Sequence, residues 1–154
     1  MLLDANLLLY AVHKGAPQHE RTATWLTEQL NGPKRVGLPW QSLAAFLRIS
    51  THPRAFQHPL APHTAWELVT DWLAAPVAWI PQPGPEHARI LGKLITTYEI
   101  RGNLVPDAQL AALAIEHGVP LCSNDTDFAR FRELRWVDPL ESADQQARDS
   151  AGDI

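Results

Sequence analysis

Proline and glycine punctuate this sequence at almost every place where its hydrophobic pattern changes period. Leu2-Leu3 runs into Asp4-Ala5-Asn6 and then the apolar stretch Leu7 to Val12. That order predicts a short buried strand, a turn at Asp4 and a helix. Pro17 opens a segment in which Ala23, Leu26 and Leu30 recur at helical spacing, and Asn31-Gly32-Pro33 stops it. Arg35 to Leu38 reads as a strand. Pro39 starts a helix with Leu43, Phe46, Leu47 and Ser50 on one side, broken at His52-Pro53. Pro62 begins a helix carrying Trp66, Val69, Trp72 and Leu73, and Pro76 ends it. Val77 to Ile80 is a strand bounded by Pro81 and Pro83. Pro85 opens a helix containing His87, Ile90, Leu91, Leu94 and Ile95. Asn103 to His117 is the clearest helix, with Gly118 as its stop. Val119 to Ser123 reads as a strand, Thr126 to Phe131 as a helical turn, and Leu134 to Val137 as a last strand.

Strands alternating with helices imply an α/β fold, a parallel sheet covered on both faces. With 154 residues the chain fits one domain, and 45% apolar residues can build its core. That domain is expected over residues 1–140, followed by an acidic, frayed tail over 141–154. No apolar run approaches the roughly 18 to 20 residues that cross a bilayer. The opening Met1-Leu2-Leu3-Asp4 has no basic region, so no secretory signal is expected. One cysteine, Cys122, excludes an internal disulfide and points to a reducing compartment, so the cytoplasm is the expected location.

A net charge of -4 argues against a broad, non-specific nucleic-acid binder, but the charges are unevenly placed. Asp138 to Ile154 hold five acids against Arg148. Gln29 to Trp66 contain no Asp or Glu, while carrying Lys34, Arg35, Arg48 and Arg54 with His52, His58 and His63. Such a segment either follows a phosphate backbone or forms an ordinary solvated face.

In open parallel sheets, ligands bind beyond the carboxyl ends of the strands. Asp4 follows the first strand there, Asp125 follows the strand ending at Ser123, and Asp127 comes two residues later. Asp107 lies in the first turn of the helix after Asn103 and joins them if that helix starts at the same edge. Each has a structural explanation too. Asp4 or Asn6 can cap the first helix, Asp107 suits a helix dipole, and Asp125 can cap the turn before Phe128. Together at one edge, such carboxylates repel one another and raise each other's pKa values. A hard divalent cation removes that cost, and Mg2+ or Mn2+ held by carboxylates suits phosphodiester hydrolysis.

Three segments carry a resemblance: Leu3-Asp4-Ala5-Asn6, Gly102-Asn103-Leu104-Val105-Pro106-Asp107-Ala108 and Leu121-Cys122-Ser123-Asn124-Asp125-Thr126-Asp127-Phe128. In this order and spacing they resemble the signatures of PIN domains. In detail, from Met1 to about Leu140, the chain is similar to VapC toxins, the ribonuclease half of bacterial toxin–antitoxin pairs. The resemblance implies a three-layer sandwich around a parallel sheet of about five strands. It implies an endoribonuclease dependent on Mg2+ or Mn2+ that inhibits translation and growth by cutting tRNA or rRNA. Asp4, Asp107 and Asp125 would hold the metal, and Asp127 would be a further catalytic acid. Asn6, Asn103 and Ser123 would orient these acids. A cognate antitoxin and a homodimer are implied as well. One departure stands out: the family's glutamate after the second strand is absent from Gln41 to Arg48, and Leu43 takes its position. Glu20, Glu67 and Asp71 are the candidate replacements. A site short of one carboxylate is expected to need high metal or RNA phosphates to fill it.

Arg48 and Arg54 are candidate phosphate contacts, with helix-end or ion-pair roles as the alternative. The histidines show no zinc-like spacing. Trp25, Trp66 and Trp72 are expected in the core or an interface. Trp40 is expected in the core rather than stacked on a base, and Cys122 is expected to be inert. A phosphatase of another α/β type fits poorly, because Asp4-Ala5-Asn6 lacks an acid two residues on and no lysine follows Val119 to Asp127. A PIN scaffold that binds RNA or a protein without cutting is the remaining alternative.

Overall fold

A computed structural model describes residues 1–141. Of the acidic segment 141–154, all but Glu141 lies outside the described residues. The order of elements is β1 (Leu2–Leu3), α1 (Ala5–Val12), α2 (His19–Asn31), β2 (Val36–Gly37), α3 (Trp40–Ser50), α4 (Pro62–Ala74), β3 (Ala78–Trp79), α5 (His87–Thr97), α6 (Val105–Glu116), β4 (Leu121–Cys122) and β5 (Trp136–Val137). Two 3-10 turns, Gly102–Leu104 and Thr126–Arg130, precede α6 and β5. The strands expected from the sequence are all present, each trimmed to two residues.

The sheet has the order β3-β2-β1-β4-β5, and all four pairings are parallel. Successive side chains on a strand point to opposite faces, so two residues suffice to supply both sides of the sheet. Leu2 and Leu121 join the core formed with α5 and α6, which includes Leu94, Ala111 and Phe128. Leu3 and Cys122 join the core on the other face, with Leu7, Leu26, Leu43, Phe46 and Trp72 from α1 to α4. The result is the expected helix–sheet–helix sandwich.

Two glycines are required by the backbone. A side chain at Gly37 would run into Leu2 on the neighbouring strand, so β2 can lie against β1 only with glycine there. Gly118 has φ of +65°, the left-handed conformation that closes α6 and turns the chain into β4. The α6 N-terminus also differs slightly from expectation. The helix begins at Val105 rather than Asn103, and the 3-10 turn supplies the entry.

Candidate metal centre

β1 lies at the middle of the sheet between β2 and β4, and Leu3 is in register with Cys122. The next residues, Asp4 and Ser123, therefore leave the sheet side by side although they are 119 positions apart in sequence. The Asp4 N–H continues the ladder by donating to the Cys122 carbonyl at 3.0 Å. Its carboxylate caps α1, accepting from the Ala5 N–H at 2.7 Å. Its second oxygen accepts from the Ser123 hydroxyl at 2.7 Å. Ser123 is fully buried and its oxygen is saturated. It also accepts from Asn6 Nδ2 at 3.0 Å and from the Asp125 N–H at 3.0 Å. One hydroxyl has a single proton to give and two lone pairs to offer, and all three are used. Asn6 and Ser123 thus stand where the sequence placed them, tying the two ends of the chain together at the acids.

Asp125 caps the following 3-10 turn by accepting from the Asp127 N–H at 2.8 Å. Asp107 arrives from the third residue of α6. Capping and clustering are therefore not alternatives here. The starts of the helical segments at the carboxyl edge of the sheet put the capping aspartates into one another's field. Among the described residues, Asp107, Asp125 and Asp127 form a group whose nearest ligand oxygens all lie within 4.8 Å of one another. Asp4 lies behind this trio, its two oxygens engaged by Ser123 and Ala5.

The electrostatics agree with the geometry. Partial burial, reinforced by the charges of Asp125, Asp4 and Asp127, pushes the Asp107 carboxyl up to about 6, against a small opposing effect of Arg130. Burial also raises Asp4, opposed by its hydrogen bonds from Ser123 and Ala5 and assisted by Asp125. Oxygens bound to one small divalent ion at about 2.1 Å are at most about 4.2 Å apart. The trio would have to draw closer around an ion, and its surplus negative charge favours a hard cation. The donor set fits Mg2+ or Mn2+.

The other expected residues differ in exposure and setting. Asn103 is exposed in the 3-10 turn before α6. Arg48 is exposed in the last turn of α3, and Arg54 is exposed in the loop beyond. Leu43 is fully buried in the core, where a glutamate would have no water and no cation. Glu20 and Asp71 line surface clefts formed by helices, away from the carboxylate group. Cys122 is buried and its thiol is pushed up to about 11 by burial, as an inert core cysteine should be.

Two residues at the site were not identified from sequence. Arg130 binds the Asp127 carboxylate at 2.9 Å, and its i,i+3 spacing on the helical turn was the available signal. Gln41, in the first turn of α3, donates to the Pro106 carbonyl at 2.5 Å, immediately before Asp107. No local pattern announces a contact across 65 positions. Trp72 is core as expected, edge-on to Phe46 with ring centroids 4.8 Å apart. Trp40 is not core, being 45% exposed, and Trp66, expected in the core or an interface, is 47% exposed on this single chain.

Carboxylates gathered at the carboxyl edge of a five-stranded parallel sheet flanked by helices belong to an α/β nuclease class, as the family match shows. The PIN domain matches residues 1–134, and the chain belongs to that family. It is 44% identical over 138 residues to Ribonuclease VapC37 of Mycobacterium tuberculosis, covering 90% of this chain and 96% of that protein. Within the PIN domains it therefore falls among the VapC ribonucleases. Solved structures agree on the fold. VapBC2 from Rickettsia felis, bound to a DNA fragment from its promoter, superposes with a TM-score of 0.63 at 19% identity, covering 88% of this chain and 96% of that one. A toxin–antitoxin complex from Klebsiella pneumoniae gives 0.56 at 19% identity, covering 90% and 96%.

Proposed function

We propose that this chain is a metal-dependent endoribonuclease, the toxin of a toxin–antitoxin pair, working through the carboxylates at the carboxyl edge of β1 and β4. The observation that carries this reading is the raised Asp107 carboxyl inside a group of three acids with oxygens within 4.8 Å. Such crowding, with one nearby arginine to offset it, favours a divalent cation. Asp107 and Asp125 of that group hold the ion together with Asp4, whose Ser123- and Ala5-bonded oxygens keep a further lone pair for it. Asp127, whose charge is already shared with Arg130, is the auxiliary catalytic acid. Mg2+ or Mn2+ at this position supplies a Lewis acid for the phosphoryl oxygens and an activated water at neutral pH.

The protein's own groups do the positioning. Ser123 fixes the Asp4 carboxylate and the Asp125 backbone at once, and Asn6 fixes Ser123. Gln41 holds α3 against the start of α6 and so limits where Asp107 can move. Arg130 keeps Asp127 at the rim and adds a positive charge on the approach to the acids. The acid-free segment Gln29 to Trp66 offers an RNA backbone a path without like-charge repulsion. Arg48 and Arg54 are phosphate contacts for RNA further from the cut, and Asn103 is a polar contact beside the α6 entry. tRNA or rRNA is the substrate class.

A protein antitoxin and a homodimer complete the assembly, and the relatives solved with partners support the first of these. Residues 1–140 are the nuclease domain and the acidic tail lies beyond it. No helix among the described residues is long and apolar enough to cross a membrane, and the cytoplasm is where an RNA target and a reduced Cys122 are found together.

The test is cleavage of total cellular RNA with Mn2+ or with EDTA, mapping the new 5′ ends. Discrete cuts that require metal and fall at least about 100-fold in Asp107→Asn are expected. Folded protein that makes no metal-dependent cut in any RNA preparation would instead establish a binding scaffold.

A further inference from the structure

We propose that Trp40 is a stacking platform for an unpaired nucleobase of the RNA next to the bond that is cut. The inference rests on the ribonuclease reading above and adds a specificity-determining residue to it.

An indole usually finds cover, yet that of Trp40 is 45% exposed. It is held on a rigid mount, as the first residue of α3 behind Pro39. The following residue, Gln41, is hydrogen-bonded to Pro106 at 2.5 Å, and Asp107 is the residue after that. Trp40 and Asp107 are thus each one residue from the contact that joins the starts of α3 and α6. Both helices begin at the same edge of the sheet, which sets the start of α3, and Trp40 with it, beside the start of α6 that carries Asp107.

The surroundings suit a nucleotide. Trp40 lies inside the acid-free segment Gln29 to Trp66, so a polyanion meets no carboxylate on its own stretch of chain. The first turn of α3 has no acid and no side-chain cap, which leaves backbone N–H groups to face a phosphate flanking the stacked base. Every base has a π-face, so a single aromatic platform selects for unpaired RNA before it selects for sequence. A cation held by carboxylates would grip only phosphates. An adjacent indole gives it a reason to prefer loops over duplex.

Trp66 provides an internal comparison. It is equally exposed, at 47%, but belongs to α4. The approach to α4 lies against the other end of α3, where the Leu60 N–H donates to the Ser50 carbonyl at 2.8 Å. An 11-residue helix separates the two ends by about 16 Å.

The experiment measures kcat and KM for a single-stranded RNA containing a mapped cut site, with Mn2+, for the wild type, Trp40→Ala, Trp40→Leu, Trp40→Phe and Trp66→Ala. Each variant is checked by circular dichroism and by its size in solution. Trp40→Ala and Trp40→Leu should lose about 5- to 150-fold in kcat/KM, mainly through KM, the range for loss of one base–aromatic stack. Trp40→Phe should recover most of it, and Trp66→Ala should stay within about twofold. A substrate with an abasic nucleotide beside the cut should lose as much with the wild type and nothing further with Trp40→Ala. Restoration by leucine would overturn the proposal, since apolar bulk would then suffice. Activity lost together with a change in oligomeric size, in the phenylalanine variant as well, would overturn it in favour of a subunit contact. Unaltered kinetics in folded Trp40→Ala, while the wild type cuts normally, would sink stacking and leave the nuclease reading intact. A wild type that cuts nothing would remove both.

Discussion

Ser123 shows how much one small side chain can control. Its hydroxyl donates to Asp4 and accepts from Asn6 and from the Asp125 backbone. Removing it in Ser123→Ala strands a buried amide and one oxygen of a largely buried carboxylate. A loss of about 1.5–3 kcal/mol in unfolding free energy is expected, measurable by urea denaturation. The same bond holds the Asp4 pKa down against burial. Its loss should therefore lift that pKa further and move the acidic limb of the pH–rate profile to higher pH. An unmoved limb would mean that Asp4 does not titrate in the cleavage reaction. Asp4, Asp107 and Asp125 were legible in the sequence because each begins a helical segment where the fold opens its carboxyl edge. Gln41 was not, because its role exists only once α3 and α6 stand together. Trp40 was misjudged because a tryptophan in an apolar context is ordinarily covered, and local sequence cannot reveal that a helix start faces open solvent.

Helix α3 explains the departure from the family pattern. Its inner face carries Leu43 and Phe46, both fully buried against residues of α1 and β1. The position at which the resemblance would put the family's glutamate is a core position in this chain, and the carboxylates that do gather come from other elements. Leu43→Glu should not add a metal ligand. It should cost at least about 3 kcal/mol of stability by burying an unpaired charge, or force that carboxyl to remain protonated. Chemical denaturation will read the first effect, and metal titration should show no tighter binding. A variant of wild-type stability with stronger Mn2+ affinity would show that α3 can turn this position toward the acids. The helices themselves were read correctly from period and proline placement. The start of α6 moved by two residues where a 3-10 turn took over, since such a turn shares much of the helical periodicity.

The alternation of strands and helices was enough to read the architecture, because the central strands β1 and β4 still carry one apolar side chain for each face. Which strands are neighbours was beyond the sequence, since that depends on how the crossovers pack. The assembled molecule concentrates acids, and this gives it a pH signature. Asp107 has a folded pKa of about 6, and an unfolded aspartate titrates near about 3.9. Below the lower value both states hold the proton and this group exacts no penalty. As the pH rises through about 6, the folded state is forced to carry the charge and stability falls; Asp4 acts in the same direction. A bound cation reverses the sign by stabilising the ionised form. Mn2+ should therefore raise the melting temperature more at pH 7.5 than at pH 5, as read by thermal denaturation. Equal increments at both values would count against these carboxylates as the ligands.

The central position of β1 has a consequence for synthesis. The first strand made pairs on one side with β2 and on the other with β4, which ends at Cys122. A ribosome that has translated three quarters of the message holds a chain with Asp4 and Asp107 but without the strand, the serine or the aspartates that complete the centre. Truncated products and stalled nascent chains lack Asp125 and Asp127 of the carboxylate group on these grounds. On the ribonuclease reading, the centre is complete only once the chain has been made past Asp127.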